Sequence, residues 1–221
     1  MLASCAFTAP AAAQTAVLDT DVNIAEFGKT NVDEQQPAAA SKPKLNIGAA
    51  IEVMQGLDDQ TIVTPQFNWG AGDCGGFGFV DIFVDGGPLK FLGNTTVDCS
   101  VAKGVFASVE AGATNFGVSG KVGIGAVLPV PGMIFAKATV YPLVKGDDRP
   151  QVKLTWLSKD LKLGKGVAVY AAGFARFRDK APDVAQPQLW LKIDGMPFEV
   201  GGKAAIFGKK TDFYIGIKRN F

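Results

Sequence analysis

The chain has 221 residues, with 22 Lys and Arg against 21 Asp and Glu. Its net charge of +1 provides no bulk positive field for binding nucleic acid. Histidine is absent, so neither histidine-dependent general-base catalysis nor a zinc site has a candidate, and we predict no enzyme, metal or cofactor. No apolar run reaches the roughly 18 residues that would predict a transmembrane helix.

Residues 1–13 are predicted to be the remainder of a secretory signal peptide. The small residues at 11–13 are typical of a cleavage site, and we interpret Met1 as a start placed too late because no basic region precedes the apolar stretch. The residues that end in Cys5 also resemble a lipoprotein box, and an ordinary disordered N-terminus is a further alternative. Residues 14–44 are polar and without periodicity, which predicts a flexible segment.

From residue 45 onward, apolar and polar residues alternate in runs separated by Gly, Asp, Pro and Lys. This period of two predicts β-strands with two different faces. Most runs exceed the globular average of about 5–6 residues and suit a tilted membrane strand of about 9–11 residues. We predict twelve strands, at 45–55, 61–70, 76–85, 94–101, 104–112, 119–128, 133–144, 150–158, 166–178, 187–193, 198–207 and 211–221. An even number returns both ends of the wall to one side, as bacterial outer-membrane barrels require.

One face of these strands carries small and medium aliphatic side chains, with aromatic rings near the strand ends. Phe177 and Phe213 fall toward one predicted rim, and the other rim has Trp69, Trp156, Phe198 and Phe221. Two levels of rings with aliphatic residues between them are typical of the girdles of a membrane barrel. The alternation by itself also suits the dry core of a soluble sandwich.

The other face combines charged and aromatic side chains, which a barrel lumen accommodates better than a solvated surface does. Acids come from the first five strands and cations from the later ones, which predicts an acidic wall opposite a basic wall; pairing between neighbours is the alternative. Eight cations against five carboxylates predict a weak preference for anions. The predicted pore-lining residues are Glu52, Asp81, Asp98, Glu110, Lys121, Lys137, Tyr141, Lys153, Tyr170, Phe174, Arg176, Trp190, Lys192, Lys203 and Lys218, with Arg178, Glu199, Phe77, Phe79, Phe83, Phe135 and Tyr214 on the same face.

Two cysteines remain in the predicted strand region. Cys74 and Cys99 fall at the same end of neighbouring runs. An exported chain permits a disulfide between them, which would hold the base of the hairpin together. The alternative is a pair of separate thiols.

The last run, Thr211 to Phe221, has an apolar and a polar face and resembles the C-terminal strand of bacterial outer-membrane β-barrels. In those proteins this strand is the signal that the barrel-insertion machinery recognises, so the resemblance implies that Phe221 is an assembly signal. The Phe77–Asp85 strand, the long hairpin from Ile134 to Leu157 and the glycine-rich final strand pair look like the Tsx-like nucleoside channels, which are narrow twelve-stranded outer-membrane barrels. This resemblance implies a nucleoside-like solute.

Together these features predict an all-β protein in which residues 45–221 form a closed antiparallel up-and-down transmembrane β-barrel of 12 strands, within a range of 10–12. We predict a porin-like channel in a Gram-negative outer membrane for passive diffusion of small polar solutes. Its partners would be outer-membrane lipid, the insertion machinery and the solutes, without nucleic acid. The alternatives are a soluble periplasmic β-barrel or sandwich that binds an apolar ligand, and a plugged structural barrel.

Overall fold

The computed structural model describes residues 45–85, 87–145, 149–178 and 182–221. The predicted signal remnant at 1–13 and the predicted flexible segment at 14–44 lie outside the described residues. Among the described residues, no helix is long and apolar enough to cross a membrane. The strands are β1 (Asn46–Gly56), β2 (Thr61–Ala71), β3 (Cys74–Val84), β4 (Lys90–Ala102), β5 (Val105–Thr114), β6 (Gly117–Val127), β7 (Met133–Val144), β8 (Gln151–Ser158), β9 (Leu161–Gly164), β10 (Val167–Phe177), β11 (Pro182–Ile193), β12 (Glu199–Phe207) and β13 (Lys210–Asn220).

The strands form a single closed antiparallel sheet. Neighbours in the chain are neighbours in the sheet, and β1 pairs with β13, from Ala50 opposite Asn220 to Gly56 opposite Tyr214. Strand β9 is too short to occupy a position of its own. It pairs with the first residues of β10, whereas β8 pairs with the later ones, so β8 and β9 share one place in the ring. The predicted all-β, closed, up-and-down barrel of twelve strands is confirmed.

Several strands begin earlier than predicted. Strand β4 begins at Lys90 rather than 94, and β11 begins at Pro182 rather than 187. The sequence predicted a longer connection that ends at Pro187, and proline lacks the N–H that a position inside a sheet normally supplies. In the barrel, Pro187 lies within β11 opposite Gly173. A Cβ at 173 would lie 2.4 Å from the Gln186 carbonyl oxygen, so the glycine allows the two strands to approach closely at the proline.

The two faces of the wall have opposite character. Along β1, Glu52 and Met54 point inward and are buried, whereas Ile51 and Val53 point outward and are exposed. The inner face is therefore polar or aromatic, and the outer face is aliphatic. This is the reverse of the pattern expected for a water-soluble sheet, in which aliphatic residues are covered.

Inward-facing glycines make room for the rings inside the barrel. Phe106 lies against Gly125, where an added Cβ would be 2.2 Å from the ring. Trp190 lies against Gly201 in the same way, with 2.6 Å to the nearest ring atom. At Gly123 the nearest neighbour is backbone rather than a ring, because a Cβ would lie 2.2 Å from the backbone oxygen of Val140 and 2.8 Å from the Tyr141 ring.

Gly123→Ala is expected to lower the free energy of unfolding by about 1–3 kcal/mol, the usual range for overpacking. A backbone oxygen cannot turn aside as a side chain does, so β6 and β7 must separate locally. Gly120→Ala is the matched control, since nothing lies within 4 Å of a Cβ at that position of the same strand. Denaturant unfolding of refolded protein in detergent measures both variants. Equal stability of the two variants would contradict this packing.

Candidate functional site

The centre of the lumen holds one carboxylate surrounded by three cations. Glu110 on β5 is 1% exposed. Its Oε1 lies 2.6 Å from Lys121 Nζ and 3.2 Å from an Arg176 guanidinium nitrogen. Its Oε2 lies 2.5 Å from Lys153 Nζ. Because these side chains come from β5, β6, β8 and β10, they meet across the interior of the barrel; we call this group the Glu110 cluster.

Polar and aromatic side chains support the Glu110 cluster. The Tyr141 hydroxyl donates to Glu110 Oε2 at 3.5 Å and lies 3.2 Å from the Ser108 hydroxyl. Lys121 Nζ lies 5.7 Å from the centre of the Tyr141 ring, and Lys153 Nζ lies 5.6 Å from that of Phe174. Both distances suit cation–π attraction, which adds to the ion pairs.

A second cluster lies around Glu199 on β12. Its carboxylate accepts hydrogen bonds from the Tyr170 hydroxyl at 2.6 Å and from the Asn220 amide at 3.0 Å, and it pairs with Lys218 at 3.2 Å. Lys218 Nζ also lies 4.4 Å from the centre of the Trp190 ring. One cation therefore balances one carboxylate here, and the lysine already covers one face of the largest ring in the lumen.

The acidic and basic walls are joined by direct contacts. Asp81 on β3 pairs with Lys203 on β12 at 3.8 Å and accepts a hydrogen bond from Thr64 at 2.6 Å. Asp98 on β4 pairs with Lys137 on β7. Asp81 and Asp98 come from early strands and their lysine partners from later ones, so these ion pairs span the space between the predicted walls. The field across an open lumen that the sequence predicted is therefore largely neutralised by contact.

Two carboxylates that the sequence analysis missed also pair with predicted lumen cations. Asp160 lies 3.0 Å from Lys192, and Asp183 lies 2.9 Å from Arg178. Both acids had been placed in connections rather than on strands, so the alternation rule did not assign them a face. The eight predicted cations pair with six carboxylates, and buried Glu52 is a seventh carboxylate on the inner face. The predicted excess of three positive charges therefore falls to one.

The remaining predicted site residues also lie on the inner face. The strand register places every predicted pore-lining residue on this inner face. That these residues contact a solute as it crosses the barrel stays a prediction. Phe106 belongs to the same face, is 7% exposed, and was missed. It occupies an inward position of an alternating run two residues before Ser108, so the period of two could have identified it.

The middle of the lumen is packed with side chains. Trp190 is 0% exposed, and Tyr141, Gln151 and Glu52 are each 1% exposed. These side chains are almost fully shielded from solvent, although they belong to the inner wall of a barrel. Side chains therefore fill much of the space around the two clusters.

The cysteines and the last residue lie toward the rim at which β1 begins. Cys74 and Cys99 lie directly opposite each other on β3 and β4 and form a disulfide, with a Cα–Cα distance of 4.1 Å. The N–H of Phe221 donates to the Ala49 carbonyl at 2.8 Å, and the Phe221 side chain is exposed.

At the opposite rim, a hydrogen bond from Lys90 lowers the pKa of Asp85, and the N–H of Gly87 contributes to the same shift. Within the described ranges, no three metal-ligating side chains lie together.

No protein-family model matches the chain, and no curated protein matches it. Among solved structures it is similar to a KdgM porin, with 5% identity, coverage of 79% of this chain and 99% of that one, and a TM-score of 0.49. It is also similar to a β-barrel-like protein of domain of unknown function DUF1849 from Brucella abortus (12% identity, 81% and 98% coverage, TM-score 0.42). A triple mutant of the Rhodopseudomonas blastica porin gives 10% identity, 81% and 100% coverage and a TM-score of 0.30. These low identities and TM-scores assign no function to the chain.

Proposed function

We propose that the protein is a bacterial outer-membrane channel for passive diffusion of small polar solutes. The observation that carries the proposal is the reversed burial of the wall, with charged residues inside and aliphatic residues outside. Ile215 and Leu189 are 65% and 57% exposed at the middle of outward faces, in a wall whose strands mostly have 10–13 residues. An uncovered aliphatic belt of this kind is stable in lipid and costly in water.

The same reversal argues against a soluble barrel that binds an apolar ligand. Such a protein needs an apolar cavity, but the interior here contains at least three buried carboxylates and their lysine partners. The aliphatic side chains that would line the cavity point away from it. Within the described part of the chain, the soluble alternative therefore has neither a cavity of suitable chemistry nor a cover for the outer surface of the barrel.

A plugged structural barrel is the second candidate, and a specific observation favours it. The Glu110 and Glu199 clusters fill the lumen with buried side chains, so conduction requires them to separate or rearrange. The channel proposal assigns this role to ion pairs and lysine side chains, which can exchange partners with a passing solute or with water. A purely structural barrel would keep the same contacts permanently.

Conductance in planar lipid bilayers separates the two candidates. Refolded protein is expected to produce discrete current steps, small because a twelve-stranded lumen is narrow and partly filled. Absence of current from a barrel shown to be folded by its β-sheet circular dichroism would instead support the plugged barrel.

A nucleoside-like solute is the finer proposal, supported only by the resemblance to Tsx-like channels. Reduction of the current by an added nucleoside would test it.

The channel is expected to favour anions weakly, because the lumen keeps a small excess of cations at the Glu110 cluster. Arg176→Gln should move the reversal potential in a KCl gradient toward equal permeability, since it removes one of the three charges around Glu110. Arg219→Gln is the matched control. Arg219 lies opposite outward-facing Ile51 in the sheet and contacts the Phe221 ring. Loss of the Arg219 charge should therefore leave the ion selectivity unchanged. A cation preference of the unmodified channel would contradict the charge assignment.

A further inference from the structure

We propose that the Glu110 cluster is a binding site for a doubly charged oxyanion, such as the phosphate group of a small solute. This inference rests on the proposed channel function and names the class of solute that the Glu110 cluster would select. In the structure, the Glu110 carboxylate occupies the position that the oxyanion would take. A solute would pass by replacing that carboxylate as the partner of the surrounding cations.

The charge balance of the cluster indicates a dianion. Lys121, Lys153 and Arg176 contribute three positive charges, and Glu110 contributes one negative charge. The next carboxylate, Asp98, is already paired with Lys137. Lys121 is 5% exposed, so its charge is poorly compensated by water. Together with Glu110, an oxyanion with two negative charges would balance the three cations. A single chloride would leave one positive charge uncompensated.

Unused hydrogen-bonding groups around the cluster point to the same ligand. The Nε of Arg176 is buried and has no hydrogen-bond partner. Gln151, which is 1% exposed, has neither its amide nitrogen nor its amide oxygen paired. It lies opposite Tyr141 on the inner face, two residues before Lys153 on β8. Buried polar groups are normally satisfied, so the two unpaired donors, Arg176 Nε and the Gln151 amide nitrogen, indicate a partner with several acceptor oxygens.

The Glu199 cluster lacks these properties and serves as an internal comparison. One lysine balances one carboxylate there, and the tyrosine and asparagine donors satisfy both carboxylate oxygens. It has no excess charge for an anion to compensate. Oxyanion binding should therefore be confined to the Glu110 cluster, although both clusters lie in the same lumen.

Isothermal titration calorimetry of the detergent-refolded barrel with sulfate tests the proposal without requiring conduction. Sulfate is expected to bind, while chloride at equal ionic strength does not compete effectively. Lys153→Gln should weaken sulfate binding by roughly tenfold, because a charge-assisted hydrogen bond is lost. Lys210→Gln removes the same charge from an exposed pair with Asp212 and should bind sulfate as the unmodified protein does. Absence of sulfate binding, or equal weakening in both variants, would overturn the proposal.

Glu110→Gln is expected to bind sulfate more tightly, a result that damage to the fold would not produce. The variant removes the internal competitor, so sulfate should bind roughly tenfold more tightly and raise the Tm more than it does in the unmodified protein. An unchanged or smaller response to sulfate would overturn the proposal. Failure of the channel proposal has a different signature: bilayers without current steps, whatever calorimetry shows. A conducting barrel that ignores sulfate would retain the channel and reject the oxyanion site.

Discussion

Glu110→Gln is expected to lower the free energy of unfolding by about 3–5 kcal/mol in the absence of multivalent anions, the range for removing one partner of a buried ion pair. The loss is large because a single carboxylate holds three cations. A glutamine amide keeps the size of the side chain but cannot balance Lys121, Lys153 and Arg176. These cations would then repel one another where they have little contact with water, since their side chains are 5%, 13% and 16% exposed.

Denaturant titration in detergent measures this effect, with Asp212→Asn as the control. Asp212 pairs with Lys210, whose side chain is 71% exposed, and exposed pairs contribute only about 0–1 kcal/mol. The double variant Glu110→Gln with Lys153→Gln should be less destabilised than the sum of the two single variants, because it leaves fewer unpaired charges. Additive losses would show that the cluster is not electrostatically coupled, and a loss under 1 kcal/mol would show that Glu110 is not its centre.

Replacing both Cys74 and Cys99 by serine is expected to lower the free energy of unfolding by roughly 3 kcal/mol. The disulfide closes a segment with a sequence separation of 25 residues and so restricts the unfolded chain. It lies at the open end of the β3–β4 hairpin, where it also holds the two strands in register. The folded barrel should change little, since backbone hydrogen bonds pair these strands along their length.

Thermal or denaturant unfolding with and without a reducing agent measures the contribution of the disulfide. Reduction should destabilise the unmodified protein and leave the double serine variant unaffected. Mass spectrometry of the unreduced protein checks the bond directly. Two free thiols, or equal sensitivity of the two proteins to the reducing agent, would refute the prediction.

The alternation of residue types was sufficient to predict the barrel and its inner face. Side chains on a strand change sides at every residue, so the positions of Glu110 and Lys153 on the inner face follow from their own runs. Strand ends were harder to predict, because Pro187 signals a break in isolation and is accommodated only by the glycine opposite it. The short β9 was also missed, since its pairing with β10 depends on where β8 ends.

Contacts across the lumen could not be predicted from the runs. Which carboxylate meets which cation depends on the stagger of the strands around the ring, a property of the closed sheet rather than of any one strand. Sequence spacing places Glu110 and Arg176 far apart, yet the ring brings their charged groups to 3.2 Å. Asp160 and Asp183 lie close to strand ends, where a boundary error of a few residues decides whether an acid is counted in the lumen.

The pairing of β1 with β13 determines how this protein can assemble. Every other neighbouring pair in the ring is close in the chain, whereas Ala50 and Asn220 belong to the two most distant strands. Contacts of such long range form slowly because the intervening chain must be ordered first. Until they form, both strands are open edges that can pair with another molecule. The species most prone to aggregate is therefore a nearly complete wall that has not yet joined its first and last strands.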